Sequence, residues 1–404
     1  MQPLILVDGV AYQEGCHYGV YRVWNSLLQE WARTGFIRHV KVLDRGETFP
    51  DFIGLARERM TPRSPKEPFL DRIRLGQACR KHGADVFVST WISGPCGTAS
   101  AFLHHDFIPQ RMGEPTLGEA WRAKAACIRQ ASTHLCVSEN TARDLKHFFP
   151  AIPEDRIRVA YLGVEAHFSP RKNEKIEAFR RGKGIRKPYF LLVGERIGMC
   201  GSTTGARGYK NTKLFFAAYR SWKKRDLYEL VLVGRTPPEA ELVAALNPES
   251  IRWLPELSEE ELALAYSGAV ALAYPSRYEG FGLPILEAMA CGCPVITTAL
   301  ASLPEVGGEA PLYIHPDSPM EMKSAMEELL IPTARNKHVS RGLSQAKKFS
   351  WEAFGKIAAE TFSSAAGRAP RPCPGEDLGV SLRAGWECVR TLVRTSKRRL
   401  RQAK

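Results

Sequence analysis

The sequence predicts an α/β protein built from two doubly wound, Rossmann-like domains in tandem. Three observations carry that expectation. Short apolar runs alternate with helical patterns almost from the first residue, a polar and basic stretch breaks the series near the middle, and a second series of the same kind follows. A chain of 404 residues is also too long for one ordinary core and suits two domains.

The first series opens on LILVDG (4–9), a strand-like run, and YGVYRVWNSLLQEWART (18–34) carries apolar residues at helical spacing. Further strand-like runs are VKVL (40–43), DVFVST (85–90), SAFLHHD (100–106), HLCVS (134–138) and IRVAYLG (157–163). Strands alternating with helices indicate parallel βαβ units, so a first domain is expected over residues 1–168. SPRKNEKIEAFRRGKGIRKP (169–188) is polar and basic with prolines near both ends, and reads as an interdomain connection holding a short helix.

A second domain is expected over 189–350. Its strand-like runs are YFLLVG (189–194), YELVLVG (228–234), SIRWLP (250–255), VALAYPS (270–276), CPVITT (293–298) and APLYIH (310–315). Helical segments between them include SEEELALAYSG (258–268) and PILEAMACG (284–292). FSWEAFGKIAAETFSS (349–364) reads as a helix, of which 351–364 is expected to pack back on the first domain. Residues 365–404 read as a Pro/Gly-rich linker followed by a basic tail. Ligands of such domains bind at the carboxyl ends of the strands and in the cleft between domains.

Composition narrows the class. With 44% hydrophobic and 25% charged residues the chain is that of a soluble globular protein, and no apolar run approaches the ~18 residues needed to span a bilayer. The N-terminus, MQPLILVDGVAY, lacks a basic region and a small-residue cleavage site, so no export signal is expected. Ten scattered cysteines, none in CxxC spacing, suit reduced thiols in a cytoplasmic protein and offer no zinc site. Between Leu378 and Lys404 eight basic residues face a single Glu387, which places half of the net charge of +14 in the tail. The body is only mildly basic. An anionic partner of the tail fits that distribution better than a nucleic-acid groove across the protein.

Several motifs are missing. No GxGxxG follows the first strand, no GxxxxGK[ST] occurs, and no Asp-x-Asp offers a carboxylate pair for a divalent metal. His104, His105 and Asp106 invite a metal reading, but adjacent residues at a strand end point to opposite faces and further ligands are absent at usable spacing. No metal is therefore expected.

RYEGFGLPILEAMACGCPVI (277–296) is the most informative stretch. Glu279 and Glu287 lie eight positions apart around Gly280, Phe281, Gly282 and Pro284, at the junction of a strand and a helix. Pro284 suits the first helical turn, and amides near Gly282 and Leu283 would face an anion at the positive end of the helix dipole. Glu287 is expected in the first turn. Taken alone, such a pair is most simply helix-start electrostatics. Its alternative is a grip on a ligand whose diphosphate joins two polyhydroxylated rings.

The surrounding residues favour the grip. PSRYEGFGLPILEAMACGCPVITT, followed by SLPEVGGEAPLYIHPDSP, closely resembles glycosyltransferase family 4, whose members are retaining enzymes of the GT-B fold. YFLLVG followed by GYKN resembles the start of that family's donor domain, and HHDFIP (104–109) matches its HD-x-IP on the acceptor domain. CVSENTARDL (136–145), IRVAYLGVEAHFSP (157–170) and GVYRVWNSLLQEW resemble further segments, so the likeness covers roughly residues 4–364. It implies a GT-B fold, two Rossmann-like domains facing across a cleft, and a hexosyltransferase.

Carried over residue by residue, the resemblance implies that Glu287 binds nucleotide ribose hydroxyls and Glu279 faces the transferred sugar. Gly280, Phe281, Gly282 and Leu283 would lie near the sugar and diphosphate, with Asn211 beside them. Lys210 and an arginine would hold the diphosphate, His105 would stand near the sugar from across the cleft, and Gly19 and Asp106 would lie on the acceptor or phosphate side. The chain departs from the family where RIGMCGSTTGARGYK separates Arg196 from Lys210; Arg196 is the first choice, and Arg207 takes its place if the loop folds back.

The implied donor is a nucleotide sugar, GDP-mannose before a UDP-hexose such as UDP-glucose, and the acceptor a glycan or lipid-linked oligosaccharide. No cofactor or metal is expected. Alternatives sharing the fold are a sugar-nucleotide epimerase, a phosphorylase or a non-catalytic binding protein. In the tail Leu378, Leu382, Trp386, Val389 and Val393 form one helical stripe among arginines. That pattern suits a peripheral helix on the cytoplasmic face of an anionic membrane, with a disordered end or a docked helix as the alternatives.

Overall fold

The structure, a computed structural model, describes residues 2–13, 19–64, 68–95, 97–113, 119–194, 208–238, 243, 244 and 246–368. The first seven strands are β1 (Ile5–Asp8), β2 (Val40–Arg45), β3 (Ala56–Met60), β4 (Val86–Ser89), β5 (Ser100–His104), β6 (Thr133–Cys136) and β7 (Ile157–Val159). They form one sheet in the order β3-β2-β1-β4-β5-β6-β7. Six more, β8 (Tyr189–Val193), β9 (Glu229–Val233), β10 (Ile251–Leu254), β11 (Ala271–Tyr274), β12 (Val295–Thr298) and β13 (Leu312–Ile314), form a second sheet in the order β10-β9-β8-β11-β12-β13. Every pairing in both sheets is parallel.

Central strands such as ILVD in β1 and VFVS in β4 are buried at every position, because helices cover both faces of a parallel sheet. Two differences from the sequence expectation have a common cause at sheet edges. ARERM in β3 is a strand that no apolar run announces, since an edge strand pairs on one side only and tolerates charges. At the opposite edge β7 ends at Val159, and the expected continuation to residue 163 leaves the sheet.

In each sheet the strand order reverses at one place, between β1 and β4 and between β8 and β11. Chain connections leave such a point in opposite directions and open a crevice at the carboxyl ends of the two strands. In the first sheet Asp8 and Ser89 end the strands at this crevice, and in the second Val193 and Tyr274 do.

The segment expected as a connection is docked along the second sheet's helices. Its helix Asn173–Gly182 packs Ile176 against Gly268, where an added Cβ would come within 2.7 Å of Ile176 Cγ2. Ion pairs of 2.7 Å join Arg171 to Glu260 and Lys183 to Glu261. The helix Trp351–Ser363 returns to the first sheet: Trp31 Nε1 donates to the Gly355 carbonyl at 2.9 Å, and Thr133 Oγ1 to the Thr361 carbonyl at 3.2 Å. One apolar core runs through both halves, from Ile5 and Val7 to Phe281 and Phe349. Among the described residues no helix is long and apolar enough to cross a membrane, and the tail from 369 onward lies outside them.

Candidate active site

The loop that follows β11 is fixed by its neighbours before any ligand arrives. Thr297 and Thr298 on β12 donate side-chain hydrogen bonds to the carbonyls of Tyr274 and Ser276, at 2.7 and 2.5 Å. The buried Ser302 hydroxyl lies 2.9 and 2.8 Å from the carbonyls of Glu279 and Phe281. Gly282 then caps the helix Leu283–Ala290 with φ of 110°, a left-handed conformation that favours glycine, and Pro284 stands in the first turn. Gly280 meets the other domain. A Cβ there would lie 1.8 Å from the His105 carbonyl oxygen, so backbone packs directly on backbone. Its own carbonyl accepts hydrogen bonds from Ser138 Oγ at 2.7 Å and Thr141 Oγ1 at 3.1 Å.

Lys210 and Glu279 come together at the second sheet's crevice. Lys210 precedes the helix Thr212–Arg220 that follows β8, and Glu279 lies beyond β11. Lys210 Nζ donates to Glu279 Oε1 at 2.6 Å and to Tyr274 OH at 2.5 Å, and stands 4.7 and 5.0 Å from the ring centroids of Tyr274 and Tyr209. Burial alone would lower the lysine's pKa. The Glu279 carboxylate, aided by the two tyrosines, outweighs it, and the ammonium is held well above the ordinary lysine range.

Glu287 lies deeper than expected. The helix begins at Leu283, so Glu287 is past its first turn, and no acidic residue stands in that turn. Helix-start electrostatics therefore does not account for it. It is 1% exposed; Tyr266 OH donates to Oε2 at 3.0 Å, and Arg22 Nη1 stands 2.8 Å from Oε1. Arg22, which the sequence did not single out, sits on the helix Gly19–Thr34 of the other domain and also faces Glu165 at 3.7 Å and Glu259 at 3.8 Å. Burial raises the Glu287 pKa while Arg22 opposes that rise. Burial would lower the arginine's, but Glu287, Glu165 and Glu259 carry it upward. Among the described residues, Glu287 Oε1, Glu165 Oε2, Arg22 Nε and Arg22 Nη2 find no aligned hydrogen bond although they are buried. A vicinal diol has the donors and acceptors that such a group of atoms lacks.

The first domain supplies the opposite wall. His104 and His105 diverge at the end of β5. His104 Nε2 lies 3.0 Å from His134 Nδ1 in the buried interior, while the His105 backbone meets Gly280. Burial lowers the His105 pKa to about 4, with Lys124 adding to the drop and Asp106 opposing it, so the imidazole is neutral at pH 7. Lys124 Nζ donates to the Asp106 carbonyl at 3.2 Å, and Asp106 Oδ1 accepts from the Ile108 amide at 3.1 Å. Glu305 of LPEV accepts from the amides of Glu139 and Asn140, both at 2.8 Å, at the start of the helix Glu139–Phe148. Its carboxylate so meets the positive end of that helix across the domain boundary. Tyr278 OH donates to Asp144 beside it. Signature segments from both halves thus build the domain contact as well as the cleft.

Comparison with known proteins follows this division. Residues 18–168 match the model of Glycosyltransferase Family 4, and residues 194–331 match Glycosyl transferases group 1. Each half of the chain thus resembles a glycosyltransferase model, the first half that of family 4. The chain is 39% identical over 235 residues to the O-antigen chain mannosyltransferase B of Escherichia coli, a match that takes in 56% of this chain and 58% of that relative. Among solved structures it is similar to a sucrose-phosphate synthase from Thermosynechococcus elongatus, with a TM-score of 0.71, 17% identity, and coverage of 90% and 99% of the two chains. The Anabaena protein HepE, solved in complex with UDP and glucose, superposes with a TM-score of 0.66 at 15% identity over 90% and 100%. These likenesses show the GT-B fold.

The other expected residues occupy distinct surroundings. Phe281 is buried against Tyr161 and Phe349, with centroids at 6.3 and 6.0 Å, and Leu283 opens the helix. Asn211 is committed within its own domain. It adopts φ of 52° at the helix start and donates Nδ2 to the Pro316 carbonyl at 2.7 Å. Gly19 begins its helix three residues before Arg22, with nothing among the described residues within 4 Å of an added Cβ. Arg196 and Arg207 lie outside the described residues. Among the described residues, no three His, Cys, Asp or Glu side chains are grouped to hold a metal ion.

Proposed function

We propose that this chain is a retaining glycosyltransferase of family 4 that moves a hexose, mannose in first preference, from a nucleotide-diphosphate sugar to a glycan acceptor. The observation that carries it is the Lys210–Glu279 pair, 2.6 Å apart at the carboxyl ends of β8 and β11, with the neutral His105 across the domain boundary. Breaking the bond between the sugar's anomeric carbon and the diphosphate leaves charge on a phosphate oxygen. A buried ammonium held in its charged state stabilises that charge without a reorganisation step. Glu287 then takes the ribose hydroxyls, and Glu279 orients the sugar.

Glu279 is a poor nucleophile while Lys210 neutralises it at 2.6 Å. A front-side displacement fits better than a covalent double displacement. The acceptor oxygen bonds to the anomeric carbon on the face the diphosphate leaves, and the acceptor's proton passes to the departing phosphate oxygen. With Lys210 supplying cationic charge, turnover is expected to persist in EDTA. The mannose preference draws support from the mannosyltransferase named above. Glu279→Gln and Lys210→Met should each lower transfer about 10²–10³-fold while leaving circular dichroism unchanged; normal turnover in either would remove its role.

The acceptor is proposed to be lipid-linked, presented at a membrane that the basic segment 378–404 touches. Deleting that segment should weaken sedimentation with vesicles rich in anionic lipid, and unchanged sedimentation would remove the membrane contact.

A further inference from the structure

The first sheet has its own crevice, between β1 and β4, and a buried polar network surrounds it that the donor site does not use. Arg45, at the end of β2, is fully buried and binds two carboxylates: Nη2 donates to Asp8 Oδ2 at 2.9 Å and Nη1 to Asp71 Oδ1 at 2.7 Å. Asp8 in turn accepts from Ser93 Oγ, and Ser93 Oγ lies 2.7 Å from Ser89 Oγ. Thr90 Oγ1 donates to the Asp8 carbonyl at 2.7 Å and accepts from the Ala11 amide at 3.0 Å. The Trp91 amide donates to Ser89 Oγ at 3.2 Å. Burying three charges is costly, and apolar residues would fill the same volume more cheaply. What the network does is hold the turn 89–93 from several sides.

The residue that this turn presents is Trp91. Ser89, Thr90 and Ser93 are buried, whereas Trp91 is 38% exposed, at the carboxyl edge of the sheet where ligands of doubly wound domains bind. The adjacent strand, β5, carries His105 just past its own end. An indole exposed at this edge, on a turn held by its backbone, offers an electron-rich surface to the weakly positive C–H groups on one side of a pyranose ring.

We propose that Trp91 is the platform on which an acceptor sugar stacks, and that the Asp8–Arg45–Asp71 network positions it. The inference rests on the glycosyl-transfer reading above, and to the acceptor side that the resemblance implies it adds the residue that meets the sugar.

The test uses the full chain, with an α-linked mannose oligosaccharide as probe. Trp91→Ala should raise the acceptor KM about tenfold, the loss of one stacking contact. Trp91→Phe should restore most of it, and GDP binding by calorimetry should match wild type in both variants. Titrating the oligosaccharide into wild type should change tryptophan fluorescence, and the change should vanish in Trp91→Phe. An unchanged acceptor KM in Trp91→Ala, or a fluorescence change that survives in Trp91→Phe, would overturn the assignment. If wild type releases no nucleotide from any donor, the transfer reading fails, and the fluorescence titration still decides whether Trp91 meets a sugar.

Discussion

Arg22 Nη1 stands 2.8 Å from Glu287 Oε1, an ion pair between a helix of the first domain and a helix of the second. Glu287 is 1% exposed, while Arg22 keeps 28% of its side chain in solvent. Arg22→Met should therefore cost about 2 kcal/mol, below the roughly 3–5 kcal/mol of a fully buried pair that loses one partner. Arg22→Met combined with Glu287→Met should recover most of that loss, because no unpaired charge remains. Urea midpoints check both, and a single variant as stable as wild type would show that the pair is solvated.

Lys210 and Glu279 should depend on each other in catalysis rather than in folding. Lys210→Met should lower kcat/KM about 10²–10³-fold, the loss expected when a preorganised charge is removed from a departing group. Glu279→Gln combined with Lys210→Met should cost little more than either change alone. Additive losses would mean that the two residues act independently.

Gly280 and Gly19 make opposite predictions. An alanine Cβ at 280 would meet the His105 carbonyl oxygen at 1.8 Å, with backbone on both sides and no flexible side chain to yield. Gly280→Ala should lower kcat/KM more than tenfold by displacing the loop from the opposite wall. Gly19→Ala meets nothing among the described residues within 4 Å and should be neutral to stabilising by about 0.4–1 kcal/mol. If Gly19→Ala keeps its stability but loses turnover, a ligand approaches the backbone there.

Acid should destabilise the protein well before its carboxylates are protonated. Burial lowers the His105 pKa to about 4 and the His104 pKa well below the ordinary value, where His134 and Lys124 add to the drop. Unfolded imidazoles take up protons as pH falls through about 6.5, while these two stay neutral in the folded chain. Stability from these groups is complete above about pH 6.5 and declines toward pH 4, by up to about 1.4 kcal/mol per pH unit for each. Urea midpoints between pH 7 and 5 should fall accordingly, and His105→Gln should flatten the slope. A flat wild-type profile would mean that both rings are solvated.

Much of this molecule is legible in its sequence because its central strands are buried on both faces and its helices alternate with them. ILVD, VFVS and YFLLV announce strands by apolar content alone. ARERM does not, since an edge strand needs no apolar run. The signature glutamates are visible by spacing, but Glu287 falls one residue past the expected first turn because the helix starts at Leu283 rather than Pro284. Arg22 was missed because an arginine within an amphipathic helix looks solvated until the other domain brings Glu287 to it. Trp91 was hidden for a related reason, since it follows DVFVST and only the buried network beneath shows that the turn is held.

The most direct test of the central claim follows nucleotide release and product configuration together. The full chain is incubated with GDP-mannose and an oligomannoside in EDTA, with other nucleotide hexoses as parallel donors, and the products are read by chromatography and NMR. The expected result is release of one nucleoside diphosphate per sugar transferred, with the anomeric configuration of the donor kept in the product. Inverted configuration, or no nucleotide release from any donor by the folded chain, would contradict it.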